Sequence, residues 1–547
     1  MAKREELVFL PLGGSGEIGM NFNAYGFGPA NRRQWIVVDC GITFGNESRA
    51  PGVDIIMPDI RFMAEQRENV LGIVATHAHE DHIGAIAPLW PLLKCPIYAT
   101  PFTARLIEGK LAEAGITAPV RDVPVGGSLT LGPFAIDFIS ITHSILEPNL
   151  LAIRTPLGVI AHTGDWKIDP DPLLGEVTDT AAIEKLGDDG VLALVCDSTN
   201  ALVPGHSGSE AEVRDGLTTL IGGLKGRVAV TAFASNVARL DSVARAAAAN
   251  GRKVALVGRS MHKIVAAAKE SGYLADLPPM LDAAEATDLP ARKILYLVTG
   301  SQGEPRAALA RIADGNHREV QLGKGDAVIF SSRIIPGNDL PIFELHNKLS
   351  ALGVEVLTAE DHFVHVSGHP AREELAQMYR WTRPRIAVPV HGELRHMAEH
   401  ARLAKSLQVP EALVPANGQL YRLAPGHAEL IDEVPSGRIH MDGRILVAEG
   451  EGLAKTRRAM AFAGLIVVTL VLDGKGRVAA EAGLLTEGMP DAVEDAVREA
   501  VDETVRRHNP KKSDSEELRE SVRRAARRAA QDAWGKKPVT RVTVIEL

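Results

Sequence analysis

The chain has 547 residues, with 60 Lys and Arg against 69 Asp and Glu, a formal charge of −9 at neutral pH. At about 150 residues per domain the length suggests roughly two to four domains. With 45% hydrophobic and 24% charged residues, disorder of the whole chain is excluded. The apolar run Gly464–Leu472 is far short of the ~20 residues that span a bilayer. The amino-terminal Met1-Ala2-Lys3-Arg4-Glu5-Glu6 leads straight into a strand pattern with no signal-peptide core. A soluble cytoplasmic protein with no membrane contact is the expectation. The cysteines Cys40, Cys95 and Cys196 are scattered and odd in number, which argues against both a disulfide framework and a Cys-based zinc site. The acidic balance does not advertise nucleic acid, although a local basic groove can sit on an acidic protein.

The first 200 residues read as short apolar strands, each with a polar residue just past its end. Leu7–Leu12 leads into Gly13-Gly14-Ser15-Gly16, and Trp35–Val38 into Asp39. Leu71–Thr76 leads into His77, and Phe134–Thr142 into His143. Val159–Thr163 leads into Gly164-Asp165, and Val191–Cys196 into Asp197. This is the pattern of a layered α/β sheet whose site collects at strand ends. From about residue 206, helical stretches (Ser209–Gly222, Asn236–Ala249, Ser260–Glu270) alternate with strands (Val228–Thr231, Val254–Val257, Ile294–Thr299, Ala327–Ser331). That alternation predicts a parallel βα domain. Glu355–Leu357 and Ile386–Val390 then resume the first pattern, so the second domain reads as an insertion into the first. From about 451, Leu465–Leu472 and Arg477–Leu485 flank Asp473-Gly474-Lys475-Gly476 as a hairpin. Helices over Pro490–His508 and Ser513–Trp534 follow, and Thr540–Glu546 closes as a strand.

The central motif is Thr76-His77-Ala78-His79-Glu80-Asp81-His82. Alternation at a strand end sends His77 and His79 to one side. Asp81 and His82 fall in the turn beyond and reach a second point a few ångströms away. One segment thereby offers two ligands to each of two metals, as two-metal hydrolytic sites require. Histidine nitrogen with carboxylate oxygen suits zinc, and manganese or magnesium as alternatives. His143, Asp165 and His391 stand past other strand ends, and the two oxygens of Asp165 could bridge both ions.

His77-x-His79-x-Asp81-His82 with His143, Asp165 and Asp39 resembles the metallo-β-lactamase superfamily. Cys196-Asp197-Ser198-Thr199-Asn200, His365-Val366-Ser367-Gly368-His369 and Pro389-Val390-His391-Gly392-Glu393 resemble the three motifs of its β-CASP nucleases. Gly13-Gly14-Ser15-Gly16-Glu17-Ile18-Gly19-Met20-Asn21, Thr299-Gly300-Ser301-Gln302-Gly303-Glu304 and the carboxy-terminal part are similar to the bacterial ribonuclease J family. Pro370 after His369 and Glu80 within the first motif depart from the pattern without removing a ligand. The resemblance implies an α/β fold: a metallo-β-lactamase αββα sandwich with an inserted β-CASP α/β domain and a small α+β carboxy-terminal domain. The boundaries read as 1–205, 206–355, 356–450 and 451–547.

The resemblance also implies roles. His77, His79 and His143 would hold one zinc ion, Asp81, His82 and His391 a second, and Asp165 would bridge. Asp39 would orient ligand rings from behind. In-line hydrolysis of RNA would leave a 5′-phosphate on the downstream nucleotide, with Asp81 among the catalytic groups. His369, oriented by Asp197, would protonate the leaving oxygen; the alternative for Asp197 is a helix cap. Ser235, Asn236, His365, Ser367, Gly368 and His369 would cradle a 5′-monophosphate, making a 5′→3′ exonuclease with some endonuclease activity. For Ser235-Asn236 an ordinary N-cap is the alternative. Single-stranded RNA, a homo-oligomer (dimer or tetramer) and RNA-decay proteins are the expected partners, in rRNA processing and mRNA decay.

Two other functions compete: a thioester or lactone hydrolase on the same metals, or a non-catalytic RNA- or protein-binding scaffold. The inserted domain and the Asp197, His369 and His391 motifs argue against the first, and the complete ligand set argues against the second. Arg519, Arg523 and Arg527, with Arg524 and Arg528 beside them, read as an RNA-contacting face or, at least as readily, as a solvated face or an oligomer contact. Gly13-Gly14-Ser15-Gly16 lacks the Lys-Ser/Thr of a P-loop and the spacing of a dinucleotide fingerprint.

Overall fold

The computed structural model of the chain describes residues 4–45, 50–335 and 337–547; Met1–Lys3 lie outside them. The chain forms two compact units, residues 1–43 with 57–437, and residues 44–56 with 438–547. The second unit takes in residues 438–450 and an early segment together with the expected carboxy-terminal domain.

In the first unit two sheets face each other. One has eight strands, in the order Glu429–Glu433, Gln419–Ala424, Glu6–Gly13, Phe22–Gly28, Gln34–Val38, Val70–Val74, Ile97–Ala99, Val120–Asp122. The other has seven, in the order Ser128–Leu131, Phe134–Ser140, Asn149–Thr155, Gly158–His162, Ala193–Asp197, Ile386–Val390, Glu411–Ala412. The period-2 alternation of a strand sorts its side chains between two layers. Leu151 and Ile153 join Phe9, Tyr25 and Val38 between the sheets. Leu150 and Ala152 turn outward, to Ile183, Leu375 and Met378 on the covering helices. On the opposite face Trp35 meets Phe62 of the helix Arg61–Glu65, with ring centroids 5.8 Å apart. This is the αββα sandwich.

Parallel pairing decides where the site forms. Gly158–His162, Ala193–Asp197 and Ile386–Val390 are consecutive parallel neighbours, with Asp197 opposite Val390. Gln34–Val38 and Val70–Val74 are parallel in the other sheet. Their carboxyl ends therefore bring Asp39, His77, Asp165, Asp197 and His391 to one edge of the sandwich.

The insertion is a six-stranded, all-parallel sheet in the order Met280–Asp282, Lys253–Val257, Ile294–Val298, Val228–Thr231, Ala327–Phe330, Glu355–Leu357. Glu355–Leu357, expected to resume the first domain, is instead the edge strand of this sheet, with Ala327 opposite Glu355 and Ile329 opposite Leu357. Its apolar pattern fits either sheet, and only pairing decides between them. Pro370 precedes Ala371, the N-cap of Arg372–Thr382, and is not at the first helical position.

Buried charges join the insertion to the sandwich. Arg239 donates to Glu210 from Nη2 (2.9 Å) and Nε (3.1 Å), and from Nη1 to the carbonyls of Ser331 (2.8 Å) and Val364 (3.2 Å). Lys167 pairs with Asp169 at 2.8 Å, and Asp169 accepts the Glu210 N–H at 2.9 Å. Burial alone would raise the Glu210 carboxyl, but Arg239 and Lys167 hold it below its usual range. Glu210→Gln leaves the Arg239 charge buried and uncompensated, an expected loss of about 3–5 kcal/mol at neutral pH. A carboxyl depressed in the folded state stabilises above its unfolded pKa, and that contribution fades as pH falls through the folded value. Urea unfolding at neutral and acid pH is expected to show a variant that is weaker at neutral pH and flatter on the acid side. An unchanged neutral midpoint would count against the pair.

In the carboxy-terminal unit, Leu465–Leu472 is the central strand, antiparallel to Gly483–Glu487 and parallel to Val539–Glu546. Asp473–Arg477 close the expected turn and Val478 bridges Leu472, while the regular partner strand runs over Gly483–Glu487. Ile466, Val468, Leu470 and Leu472 face Val493, Val497 and Val501 and also Leu518, Val522, Ala526 and Ala530. A period-2 face therefore meets two stripes of four-residue spacing.

Candidate metal centre

Just past Val70–Val74 the chain enters the short helix Glu80–Ile83, for which His79 is the N-cap. Extended backbone places His77 and His79 side by side, and the helical turn then sends His82 to a different point. Three ring nitrogens converge: His77 Nε2 and His143 Nε2 lie 3.2 and 3.1 Å from His79 Nδ1. The second group forms around Asp165 Oδ2, with His82 Nε2 at 3.2 Å and His391 Nε2 at 3.4 Å. Asp81 Oδ2 is 3.6 Å from each of those nitrogens. Asp165 Oδ2 is also 3.9 Å from His77 Nε2 and from His143 Nε2. His77, His79, His143 and Asp165 thus form one set, and Asp81, His82, Asp165 and His391 another, each with ligand atoms within 4.8 Å.

Partners behind the rings fix their tautomers. Asp39 Oδ2 accepts from His82 Nδ1 at 2.7 Å, so Nε2 is the nitrogen that faces forward. Asp39 also accepts from the Thr76 N–H (2.8 Å) and hydroxyl (2.9 Å), holding the residue before His77. His143 Nδ1 donates to the Gly368 carbonyl, which turns its Nε2 forward too. Such partners are typical behind metal-binding histidines.

The donor set fits a metal better than it fits protons. Asp165 Oδ1 and His391 Nε2 are buried without a hydrogen-bond partner, a costly state unless something electropositive sits between them. Burial and neighbouring imidazoles push His77 well below its usual range, and burial brings His79 down to about 4. His143 is lowered likewise, by burial and by His79. These rings are neutral and ready to coordinate. Around His82 burial opposes the charge, but Asp165, Asp81 and Asp39 outweigh it and pull the ring upward. Burial would raise the Asp165 carboxyl, and His391 and His82 hold it well below normal.

His369 stands beside the cluster, 24% exposed, with its ring stacked on His391 at 5.6 Å between centroids. Its Nδ1 is 2.8 Å from Asp197 Oδ2. Burial would lower this histidine, but Asp197 raises it to about 9. Asp197 Oδ1 accepts the Thr199 N–H at 2.8 Å, so one carboxylate both caps a turn and holds His369. Beneath it runs a buried chain missed by the sequence reading. Ser198 Oγ is 2.9 Å from His400 Nδ1, and His400 Nε2 is 2.9 Å from the Tyr379 hydroxyl.

The residues expected to cradle a phosphate divide. Ser367 Oγ accepts from Asn200 Nδ2 (2.8 Å) and from the His369 N–H (3.1 Å), leaving its own proton to donate. His365 Nδ1 lies 3.4 Å from Arg239 Nη1. Burial and Arg239 keep the His365 ring well below its usual range, so its proton sits on Nε2. Asn236 differs from the expectation. Its Oδ1 caps the helix Val237–Ala249 by accepting the Arg239 N–H at 2.9 Å, and its Nδ2 faces Glu210 at 3.4 Å. The ordinary N-cap is what this side chain does, because the first turn of the helix needs an acceptor. Ser235, half-buried, precedes it.

Three residues of the arginine stretch are paired within their own helix. Arg519 bonds Glu516, and Arg523 and Arg524 bond Glu520 at 2.6 and 2.7 Å. Those guanidiniums form an ion-paired helix face. Cys40, Cys95 and Cys196 are buried, and burial pushes the Cys95 thiol up to about 12, which leaves it inert. Among the described residues no helix is long and apolar enough to cross a membrane.

Family models match along the chain. "Metallo-beta-lactamase superfamily" covers residues 24–206, and "Ribonuclease J, beta-CASP domain" covers 225–349. "Zn-dependent metallo-hydrolase RNA specificity domain" covers 353–414, and "Ribonuclease J C-terminal domain" covers 453–547. Ribonuclease J of Sinorhizobium meliloti is 48% identical over 493 residues, 90% of this chain and 87% of that protein. Ribonuclease J of Thermus thermophilus is 40% identical over 477 residues, 85% and 82% of the two chains. That of Mycolicibacterium smegmatis is 39% identical over 490 residues, 88% and 87%. A crystal structure of a protein of unknown function from Enterococcus faecalis V583 shares the fold, with TM-score 0.51 at 16% identity over 76% of this chain and 99% of that one.

Proposed function

The chain belongs to the ribonuclease J family, and on that premise we propose that this metal-dependent ribonuclease degrades single-stranded RNA from 5′-monophosphate ends. The reading includes 5′→3′ exonuclease activity, some endonuclease activity, and work in RNA maturation and decay in the cytoplasm. One observation carries it: two ligand sets sharing Asp165, with the His369–Asp197 pair at their side.

His77, His79 and His143 would hold one ion and Asp81, His82 and His391 the other, with Asp165 common to both. Zinc suits this donor set, with manganese or magnesium as alternatives. Bound there, the ions supply Lewis-acid polarisation of the phosphodiester and a water nucleophilic at neutral pH. Asp39 keeps the His82 lone pair forward. Asp81, at 29% exposure the more open carboxylate, orients the attacking water. His369 gives its proton to the leaving 3′-oxygen, and Asp197 keeps that proton on the ring at neutral pH.

The 5′ phosphate is received by Ser367 Oγ and His365 Nε2, both with a proton to donate, and by Ser235 and the Gly368–His369 segment. Asn236 supports them as a cap. On this reading the site takes a monophosphate in preference to a triphosphate. A dimer or tetramer, with exposed Phe462 and Ile445 of the carboxy-terminal unit contributing, completes the reading, along with RNA-decay protein partners.

One RNA carrying either a 5′-monophosphate or a 5′-triphosphate tests the pocket. Mononucleotides are expected from the monophosphate form only, with at least a tenfold preference. Equal internal cleavage of both forms removes the pocket and keeps the nuclease. A chain that holds its ions yet cleaves neither form points to a small-molecule ester as the substrate.

A further inference from the structure

We infer that the glycine-rich segment Gly13–Asn21 is a clamp for the last metal ligand, His391, and that Asn21 is the positioning residue that sets the proton on that ring. The inference rests on the two-ion reading above. His391 comes 370 residues after Asn21 and on the opposite sheet from Asp81 and His82, so nothing local aligns it with its partner ligands.

The clamp has a backbone part and a side-chain part. Gly14 O accepts the His391 N–H at 2.6 Å, and Ser15 and Gly16 pair in parallel with Gly392 and Glu393. His391 itself has φ +51°, a left-handed conformation that a residue with a β-carbon holds only when its surroundings impose it. Thr199 Oγ1 donates to the His391 carbonyl at 3.2 Å from the other side. The loop is anchored in turn by Asn417, whose Oδ1 accepts the Ser15 N–H at 3.1 Å and whose Nδ2 donates to Glu17 at 2.7 Å.

Asn21 is buried, and its amide orientation is determined. Nδ2 is 3.0 Å from the Asp81 carbonyl, which can only accept, so Oδ1 points the other way. Oδ1 lies 3.0 Å from His391 Nδ1. An amide oxygen has no proton to give, so Nδ1 carries the hydrogen and Nε2 keeps its lone pair. That Nε2 is the buried nitrogen without a partner. Gly14 explains the glycine: at φ +85°, a β-carbon there would sit 2.3 Å from Asn21 Oδ1. The glycine-rich motif, which binds no nucleotide phosphate in this reading, leaves room for one amide oxygen to reach one ring. Asn21 Nδ2 also lies 3.1 Å from His82 Nε2, and His82 and His391 belong to the same ligand set, so the effect of Asn21 falls on one ion of the two.

Zinc uptake by the full chain tests this, read by calorimetry and by metal analysis after dialysis. Thermal unfolding of the metal-free variants checks their fold. Asn21→Leu is expected to bind one ion as the wild type does and the other about ten- to hundredfold more weakly. Gly14→Ala is expected to do the same. Asn21→Asp keeps the acceptor and is expected to hold the second ion more tightly than Asn21→Leu. Two ions bound by Asn21→Leu at wild-type affinity overturn the clamp, and equal losses in the Asp and Leu variants overturn the proton assignment. A wild-type chain that takes up fewer than two ions overturns the two-ion reading itself, and the clamp with it.

Discussion

Asp165→Asn is expected to lose tight ion binding and, with it, all measurable cleavage. Its Oδ2 is the atom common to both ligand sets, 3.2 and 3.4 Å from His82 and His391 and 3.9 Å from His77 and His143. The amide is nearly the same size, so packing is kept while the one fully buried negative charge facing all four imidazoles is removed. Losing one partner of a buried charge cluster costs about 3–5 kcal/mol, on the order of 10²–10³-fold in ion affinity. The pH dependence has a definite sign. In the ion-free chain His82 is drawn upward and carries a proton, which an incoming ion must displace. Uptake at neutral pH is therefore expected to release protons, and affinity to rise with pH. Calorimetry in buffers of different ionisation enthalpy measures the release. Two tightly held ions in Asp165→Asn, with an undiminished rate, would sink the shared-ligand reading.

His369→Ala is expected to leave both ions bound and to lower kcat by about 10²–10⁴-fold, the usual contribution of a positioned general acid. The proton is available because Asp197, 2.8 Å from Nδ1, holds the ring at about 9 against the pull of burial. The rate should be full while the ring is protonated and decline as pH rises through its pKa. Asp197→Asn removes the partner that raises that value, so the decline should begin at lower pH. A substrate with sulfur in place of the bridging 3′-oxygen separates chemistry from positioning, since a thiolate leaves without a proton. His369→Ala should cleave it at close to the wild-type rate. An equal defect on the oxygen and sulfur substrates would make His369 a structural residue.

Much of the candidate site is legible in the sequence because its signal is local. His77, His79, Asp81 and His82 lie within six residues, and the strand-to-helix transition alone splits them into two pairs. His143, Asp165, Asp197 and His391 stand just past or at the end of apolar strands, and parallel pairing brings such ends together. The proposed phosphate pocket was less legible, because Ser235-Asn236 suits both an N-cap and a ligand cradle. Its side-chain roles depend on Arg239 and Glu210, which belong to other elements.

The sequence by itself determined the layered α/β class, the inserted parallel sheet, the alternating faces of each strand and the ligand residue types. Each depends on neighbours a few positions apart, where backbone geometry fixes which way side chains point. Only the tertiary structure decided that Glu355–Leu357 closes the inserted sheet and that residues 44–56 pack with the carboxy-terminal unit. It alone decided that Asn21 and Gly14 reach His391. Strand order, register and rotamer choice made those decisions. They are settled by which surfaces bury one another across hundreds of residues, and no local pattern encodes that.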